Sequence, residues 1–92
     1  AFAAQVLAVL ELFEDSEWCA ERLGRDTPVG AVDPDRLNAW GGSLSVGHPF
    51  GATGARLITN CCHRMREEEA RHGVVAACAA GAIGIGLTFE RM

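Results

Sequence analysis

A histidine lies between a glycine and a proline near the middle of the chain, in the segment Gly47-His48-Pro49. Glycine lets the backbone adopt positive φ angles and approach a ligand closely, and proline presets the φ angle of a first helical turn. A helix-like stretch follows from Ala52, so we expect His48 at the mouth of a helix. A histidine held there is placed to transfer a proton near neutral pH, which core packing alone does not require.

A cysteine next to small residues is the second candidate for chemistry. Cys78 follows an apolar, strand-like run and precedes the segment Ala79-Ala80-Gly81. Open α/β sheets place their sites at the ends of strands, and a thiol serves as an acid or base when nearby donors bring its pKa toward neutral. Backbone N–H groups of the following turn are suited to stabilising an oxyanion. The alternative, a small buried core cysteine, stays open on composition alone.

Two glycine-containing segments are weak candidates for phosphate binding. Gly51-Ala52-Thr53-Gly54 lacks the lysine of a P-loop, and the sequence contains no lysine at all. The glycines between residues 81 and 86 precede a strand, whereas those of a dinucleotide fingerprint open a helix. We therefore assign a phosphate site to neither segment.

The spacing of the cysteines and histidines does not indicate a metal site. Adjacent residues project from different sides of a helix, and neither a CxxC nor an HxxxH pair is present, so we expect no metal. Adjacent cysteines do not readily form a strain-free disulfide, and reduced thiols in an intracellular protein are the simpler interpretation. The residues weighed as ligands are Cys61, Cys62, His63 and His72, and the two histidines are interpreted as surface residues of a helix.

Hydrophobic periodicity predicts the elements of the first half of the chain. Residues 1 to about 14 are predicted to form an amphipathic helix, and residues 16–23 a second short helix that ends at Gly24. Proline, glycine and aspartate predict a loop over residues 27–35. The glycine-rich residues 38–47 are expected to form a loop or a short helical turn.

The second half is predicted to contain one long helix and two strands. The helix extends from Ala52 to about Glu69 and is closed by His72-Gly73, and a strand begins at Val74. Residues 79–84 are interpreted as a turn, and residues 85–90 as the second strand. Because the first strand is apolar without alternation, we expect a sheet covered on both faces, as at the end of an α/β domain.

Composition excludes several classes of function. The 92 residues have a formal net charge of −4 and no basic run, so nucleic-acid binding through phosphate neutralisation is not expected. Residues 73–89 are uncharged but short for a membrane span, and the first ten residues lack the basic region of a signal peptide. An apolar fraction of 49% and a start within an apolar helix lead us to expect a portion of a longer chain.

Three motifs, in this order along the chain, resemble signatures of the thiolase family. Asn38-x-x-Gly41-Gly42, Gly47-His48-Pro49 and Gly51-Ala52-Thr53-Gly54-Ala55-Arg56 together resemble the family's histidine signature. Cys78-Ala79-Ala80-Gly81-x-x-Gly84 resembles its C-terminal cysteine-glycine signature. Ala1-Phe2-Ala3 resembles the tail of its Glu-Ala-Phe-Ala motif. The form of these motifs is most similar to 3-ketoacyl-CoA thiolases, including the β-subunits of fatty-acid oxidation complexes.

The resemblance implies a fold and a reaction. Residues 1–92 are expected to be the C-terminal portion of a thiolase-like α/β fold, an incomplete layered α/β/α domain without the N-terminal domain that carries the nucleophilic cysteine. The implied reaction is the cleavage of a 3-ketoacyl-CoA by CoA to acetyl-CoA and a shortened acyl-CoA, in fatty-acid β-oxidation. CoA is then a substrate, no bound cofactor is implied, and the 92 residues alone are expected to be inactive.

The same resemblance implies roles for individual residues. His48 would activate the nucleophilic cysteine and help bind the thioester oxygen, and Cys78 would be the second cysteine, an acid and base. The N–H of Ala80 would contribute to an oxyanion hole. Two positions depart from the usual family pattern, Trp40 where many members have asparagine and Ala82 where a glycine is usual. The residues expected to contact the substrate are Gly47, Pro49 and Phe50.

Two other classes of function stay open from the sequence. One is a thiolase-like protein that binds acyl-CoA or lipid without cleaving it, and the other is an interaction module whose glycine-rich apolar surface contacts a partner. For a thiolase, the family implies a homo-oligomer that in some members joins a hydratase/dehydrogenase subunit. The expected location is the cytoplasm, with the mitochondrion as the alternative, and no integral membrane segment is expected.

Overall fold

The computed structural model describes all 92 residues, which form two compact units, Ala1–Ser45 and Val46–Met92. No helix in either unit is both long and apolar enough to cross a membrane. The helices are α1 (Ala3–Glu14), α2 (Ser16–Leu23), α3 (Ser43–Val46) and α4 (Thr53–Glu67), a short 3-10 helix covers Pro34–Arg36, and the strands are β1 (His72–Ala79) and β2 (Ile83–Glu90).

The first unit contains the helix pair α1 and α2. The carboxylate of Asp15 accepts a hydrogen bond of 2.8 Å from the backbone N–H of Trp18 and so caps the start of α2. Gly24 adopts a φ angle of 63° and ends α2, which confirms the predicted helix stop. Cys19 is fully buried, and its thiol donates to the carbonyl oxygen of Leu12 near the end of α1 at 3.4 Å.

The rest of the first unit is a loop region with two short helical turns. The predicted loop contains the 3-10 helix at Pro34–Arg36, and the glycine-rich segment after it contains α3. Asn38 has a φ angle of 50°, and its carbonyl oxygen accepts from the N–H of Gly41 at 2.8 Å. A methyl group on Gly42 would lie 2.9 Å from the Asn38 side chain. The Asn38-x-x-Gly41-Gly42 motif is therefore a tight turn, in which a larger residue at Gly42 would displace the Asn38 side chain.

In the second unit, α4 packs on an antiparallel hairpin formed by β1 and β2. Helix and strand approach each other closely at Gly73, where a methyl group would lie 2.5 Å from Cys61 Sγ and 2.6 Å from Met65 Sδ. Met65 is 6% exposed and is the most buried apolar side chain of this unit. The absence of a side chain at Gly73 thus permits the helix to lie directly on the strand.

The structure corrects the predicted end of the long helix. Helix α4 ends at Glu67, because Glu69 adopts a left-handed φ angle of 52°. His72 and Gly73 do not close the helix, as the sequence suggested, but begin β1, with Gly73 paired to Phe89. His72 is therefore a strand residue.

The structure also corrects the extent of the turn between the strands. The turn consists of residues 80–82, and β2 begins at Ile83, two residues earlier than predicted. Small residues have low strand propensity, but pairing with β1 overrides it here. Cys78 is paired with Gly84, and Ala79 with Ile83.

Exposure alternates along β1. Gly73, Val75 and Ala77 are partly buried on the face that α4 covers, and the intervening residues are exposed. Within residues 1–92 the opposite face of the hairpin is exposed, so the predicted two-sided cover is not present in these residues. The hairpin has the alternation of a sheet covered on one side.

Candidate active site

The residue before His48 is held in a conformation that favours glycine. Gly47 has a φ angle of 90°, in the left-handed region that side chains other than glycine rarely adopt. Its carbonyl oxygen accepts a hydrogen bond of 2.8 Å from Nη2 of Arg56, on the first turn of α4. The backbone that leads into His48 is thus fixed by the helix that follows it.

The ring of His48 is anchored to the first residue of α4. Its Nδ1 lies 2.7 Å from Oγ1 of Thr53, a side chain that is 3% exposed. The ring centroid lies 5.1 Å from that of Phe50, with the two planes tilted by 53°. His48 itself is exposed, and Phe50 is 91% exposed. The imidazole is therefore exposed, and the contact of Nδ1 with Thr53 fixes its orientation and hence the position of the other ring nitrogen, Nε2.

Pro49 lies in the turn before α4 rather than in its first helical turn, because the helix begins at Thr53. The carbonyl oxygen of Pro49 accepts from the N–H of Ala52 at 2.9 Å and from that of Thr53 at 3.0 Å. The hydroxyl of Thr53 lies 3.1 Å from the same oxygen. Three donors on one carbonyl hold the turn from residue 49 to residue 53 against the helix.

Cys78 is the penultimate residue of β1 and is exposed. It is paired with Gly84, where a methyl group would lie 3.3 Å from the carbonyl oxygen of Ala77. Ala80 begins the turn that follows, and the next two residues have positive φ angles, 92° at Gly81 and 58° at Ala82. The thiol and the turn are accessible together.

The chain direction brings the His48 segment and the Cys78 segment to one end of the second unit. Helix α4 leads away from His48, and β1 returns along α4 with Gly73 beside Cys61 and Met65, so the start of the helix and the end of the strand lie at the same end of the unit. Gly54 and Ala77 accordingly line the same apolar groove between α4 and the hairpin. By register, Cys78 lies on the face of β1 opposite to α4, so the two candidate side chains share an end but not a face.

The residues weighed as metal ligands are separated. Cys61 lies on α4 beside Met65, where burial and the neighbouring Cys62 raise the pKa of its thiol. His63 is exposed on α4, and Nε2 of His72 lies on β1, 3.9 Å from the carboxylate of Glu90. No group of three or more histidine, cysteine or acidic side chains is arranged to hold a metal ion. All four cysteines of the chain are thiols.

One residue of the site was not singled out from the sequence. In the sequence Thr53 is one residue of a glycine-rich segment, and in the structure it contacts the His48 ring. Its signal in the sequence is a hydroxyl residue five positions after the histidine, at the point where the helix begins. That spacing becomes informative only once the helix start is known to lie at Thr53 and not at Ala52.

Comparisons with known proteins agree with the motifs. Residues 1–91 match the family model described as the thiolase C-terminal domain. The chain is 52% identical over 90 residues to the "Probable 3-ketoacyl-CoA thiolase" of Caenorhabditis elegans, covering 98% of this chain and 20% of that protein. It is 48% identical to the "3-ketoacyl-CoA thiolase" of Aeromonas salmonicida (strain A449), covering 98% of this chain and 21% of that protein.

The chain thus spans about a fifth of the length of the curated relatives it matches. Nearly all of it is covered, including both segments that carry the candidate catalytic residues. The helices and the two-stranded antiparallel sheet agree with an incomplete thiolase-like α/β domain. From the family match and the identity over 98% of its residues, the chain belongs to the thiolase family and corresponds to the family's C-terminal domain.

Proposed function

We propose that His48 and Cys78 are catalytic residues of a 3-ketoacyl-CoA thiolase, which transfers an acyl group from a 3-ketoacyl-CoA to CoA. Membership of the thiolase family and the names of the relatives support an acyltransferase. The observation that carries the proposal is the exposed imidazole of His48, which Thr53 holds at the start of α4. Cys78 lies near the end of β1, at the same end of the second unit.

In the first half-reaction, a cysteine supplied by residues outside this chain is the nucleophile. His48 accepts the proton of that thiol, and the resulting sulfur attacks the 3-keto carbon of the substrate. The bond between carbons 2 and 3 then breaks. The departing enolate of acetyl-CoA takes a proton from the Cys78 thiol, and the remaining acyl group stays on the nucleophile as a thioester.

The second half-reaction reverses the proton transfers. The Cys78 thiolate takes the proton of the incoming CoA thiol, and the CoA sulfur attacks the thioester carbon. The acyl group leaves on CoA, and the nucleophilic cysteine regains its proton from His48. Each catalytic residue is thereby returned to its starting protonation state.

Substrate binding is assigned to the residues around the two catalytic groups. The N–H of Ala80, in the exposed turn after β1, contributes to the oxyanion hole. The exposed ring of Phe50 provides apolar surface beside His48 for the acyl portion. Gly47 and Pro49 present their backbone to the substrate. CoA enters as a substrate, and we propose no bound cofactor.

The cellular setting is also a proposal. We assign the enzyme to fatty-acid β-oxidation in the cytoplasm, with the mitochondrion as the alternative, as a homo-oligomer that can join a hydratase/dehydrogenase subunit. It needs no nucleic acid and no integral membrane segment. Light scattering of the purified protein and co-purification with such a subunit test these assignments.

The reaction is tested by thiolysis of acetoacetyl-CoA by the full-length gene product that carries these residues. His48→Ala and Cys78→Ser are expected to lower kcat by roughly 10²- to 10⁴-fold, the usual contribution of a positioned acid or base. His63→Ala and Cys62→Ser are the matched controls, because both residues are exposed on α4 away from the candidate site. Surface substitutions usually change stability by about 0.5 kcal/mol or less, so both controls are expected to fold and to leave kcat within about twofold.

Three outcomes would contradict the proposal. Near-normal turnover in His48→Ala or Cys78→Ser would remove the assigned roles. Binding of acyl-CoA by the full-length protein without cleavage would favour the non-catalytic alternative. CoA-dependent cleavage by the 92 residues alone would show that no outside nucleophile is needed.

A further inference from the structure

The hydroxyl of Thr53 lies between two groups of different hydrogen-bonding capacity. Its Oγ1 is 2.7 Å from Nδ1 of His48 and 3.1 Å from the carbonyl oxygen of Pro49. Thr53 is 3% exposed, so bulk water does not compete for either bond. A hydroxyl has one proton to donate, and it can accept through its lone pairs. The position of that proton therefore decides which form of the imidazole fits the site.

The carbonyl oxygen of Pro49 can only accept. Its contact with Oγ1 of Thr53 is favourable when the hydroxyl proton lies between the two oxygens. If that proton pointed to His48 instead, two oxygens 3.1 Å apart would face each other with lone pairs at a buried site. With the proton on the Pro49 side, Oγ1 presents a lone pair to the ring, and Nδ1 must be the donor.

We infer that Thr53 is a positioning residue that holds neutral His48 in the form protonated on Nδ1. The lone pair that accepts a proton is then on Nε2, at the exposed side of the ring. The catalytic role of this tautomer rests on the proposed thiolase function. The tautomer itself depends only on the hydrogen bonds of His48 and Thr53 and can be measured independently. Which ring nitrogen carries the proton is commonly set by the hydrogen bond of the other.

The same hydrogen bond persists when His48 becomes charged. The imidazolium has a proton on both nitrogens, so Nδ1 continues to donate to Thr53 while Nε2 holds the transferred proton. The ring therefore does not need to move between the two protonation states. The β-branched side chain of Thr53 favours this role, because few χ1 rotamers are open to it at the start of a helix.

NMR of the full-length gene product with ¹⁵N-labelled histidine measures which ring nitrogen of His48 carries the proton. The His48 signals are identified by their loss in the His48→Gln variant. In the parent protein, neutral His48 is expected to show a protonated Nδ1 and an unprotonated Nε2. Thr53→Val keeps the shape of the side chain and removes the hydroxyl, so the population should shift toward the Nε2-protonated form that a free imidazole side chain prefers. Thr53→Ser should restore the parent pattern.

Kinetics test whether this position of the proton serves catalysis. Thr53→Val is expected to lower kcat of thiolysis roughly 10- to 100-fold, by analogy with the loss of hydrogen-bond partners of metal-ligating histidines, while KM changes little. Thr53→Ser should retain most of the activity. Thr59→Val is the matched control, because Thr59 is exposed on the same helix.

The outcomes separate this inference from the proposed function. Absence of thiolysis in the parent protein would remove the proposed function, and the NMR result would still decide the tautomer. An Nε2-protonated His48 in the parent protein, or an unchanged tautomer in a folded Thr53→Val protein, would overturn the inference. Unchanged kcat in Thr53→Val would overturn the positioning role. Should Thr53→Val fail to fold, the parent and Thr53→Ser spectra decide the question.

Discussion

Arg56 donates a hydrogen bond of 2.8 Å from Nη2 to the carbonyl oxygen of Gly47, nine residues earlier in the chain. The bond joins α4 to the residue immediately before His48, at a position with a φ angle of 90°. Thr53 holds the imidazole of the same histidine. Two residues of one helix turn thus hold His48, one through the backbone and the other through the ring.

Loss of the hydrogen bond from Arg56 is expected to make the position of His48 less fixed, while the catalytic side chain itself remains present. Arg56→Met should lower kcat of thiolysis about tenfold, equivalent to about 1.4 kcal/mol of transition-state stabilisation, because the catalytic ring loses part of its fixed position. Arg66→Met, also on α4 and largely exposed, is the control and should have little effect. Equal kcat values for the two variants would contradict a role for the Arg56–Gly47 bond.

The turn between β1 and β2 contains a strained alanine. Ala82 has a φ angle of 58°, a conformation that costs a residue with a Cβ about 1–2 kcal/mol. Ala82→Gly is therefore expected to stabilise the hairpin by about 1 kcal/mol, less the added flexibility of glycine in the unfolded state. Native-state hydrogen exchange of the β1 and β2 amides measures the change.

The matched control for Ala82 is Ala80→Gly in the same turn, since Ala80 does not have a positive φ angle. That change is expected to destabilise the hairpin slightly, because glycine adds unfolded-state entropy without relief of strain. Faster exchange in Ala82→Gly than in the parent protein would contradict the assignment of strain to Ala82.

The close contact between α4 and β1 predicts that Gly73 does not tolerate a methyl group. Gly73→Ala would place a carbon 2.5 Å from Cys61 Sγ and 2.6 Å from Met65 Sδ. The expected loss of unfolding free energy is about 1–3 kcal/mol, as for other overpacked cores. Denaturant unfolding of the full-length protein measures it.

Gly86→Ala is the control for overpacking on the same hairpin. A methyl group there has its nearest neighbour, the carbonyl oxygen of Val75, at 3.9 Å, an ordinary contact. Adding Cys61→Ala to Gly73→Ala should recover part of the loss, because the two positions are in contact and their effects are not additive. Similar stabilities for Gly73→Ala and Gly86→Ala would contradict the predicted clash.

The adjacent cysteines of α4 are expected to react at different rates. Burial, followed by the neighbouring Cys62, raises the pKa of the Cys61 thiol above its ordinary value of 9.0. Only the thiolate is nucleophilic, so at pH 8 Cys61 should be alkylated by iodoacetamide more slowly than the exposed Cys62. Cys19, which is fully buried, should react only on unfolding.

The alkylation rate of Cys61 should continue to increase as the pH is raised through 9.0, because its thiolate fraction is still growing there. Mass spectrometry of the protease-cleaved protein follows each site, and Cys62→Ser isolates the signal of Cys61. The sign of the shift also means that the folded state retains the Cys61 proton to higher pH than the unfolded state. The contribution of this group to stability is therefore lost as pH rises above 9.0. Alkylation of Cys61 as fast as Cys62 at pH 8 would contradict the raised pKa.

Local rules were sufficient to predict α1, α2 with its stop at Gly24, and most of α4, but not the end of α4. The apolar periodicity of α1, the glycine that ends α2 and the amphipathic pattern of α4 are all properties of neighbouring residues, and each element formed close to its predicted bounds. The motifs around His48 and Cys78 could also be recognised from the sequence, because glycine and proline at fixed positions determine the local backbone conformation. Family membership followed from the same strings.

Tertiary structure decided what depends on pairing and on contact between elements. Gly84 has little strand propensity, and Ile83 lies among small residues typical of a turn, so it is their pairing with Cys78 and Ala79 that makes both part of β2. His72 belongs to a strand because the left-handed turn at Glu69 ends α4 early. The link between His48 and Thr53 likewise depends on where α4 begins. The residue types for proton transfer are present in the sequence, but their anchoring arises from contacts between a loop and a helix, which no local pattern specifies.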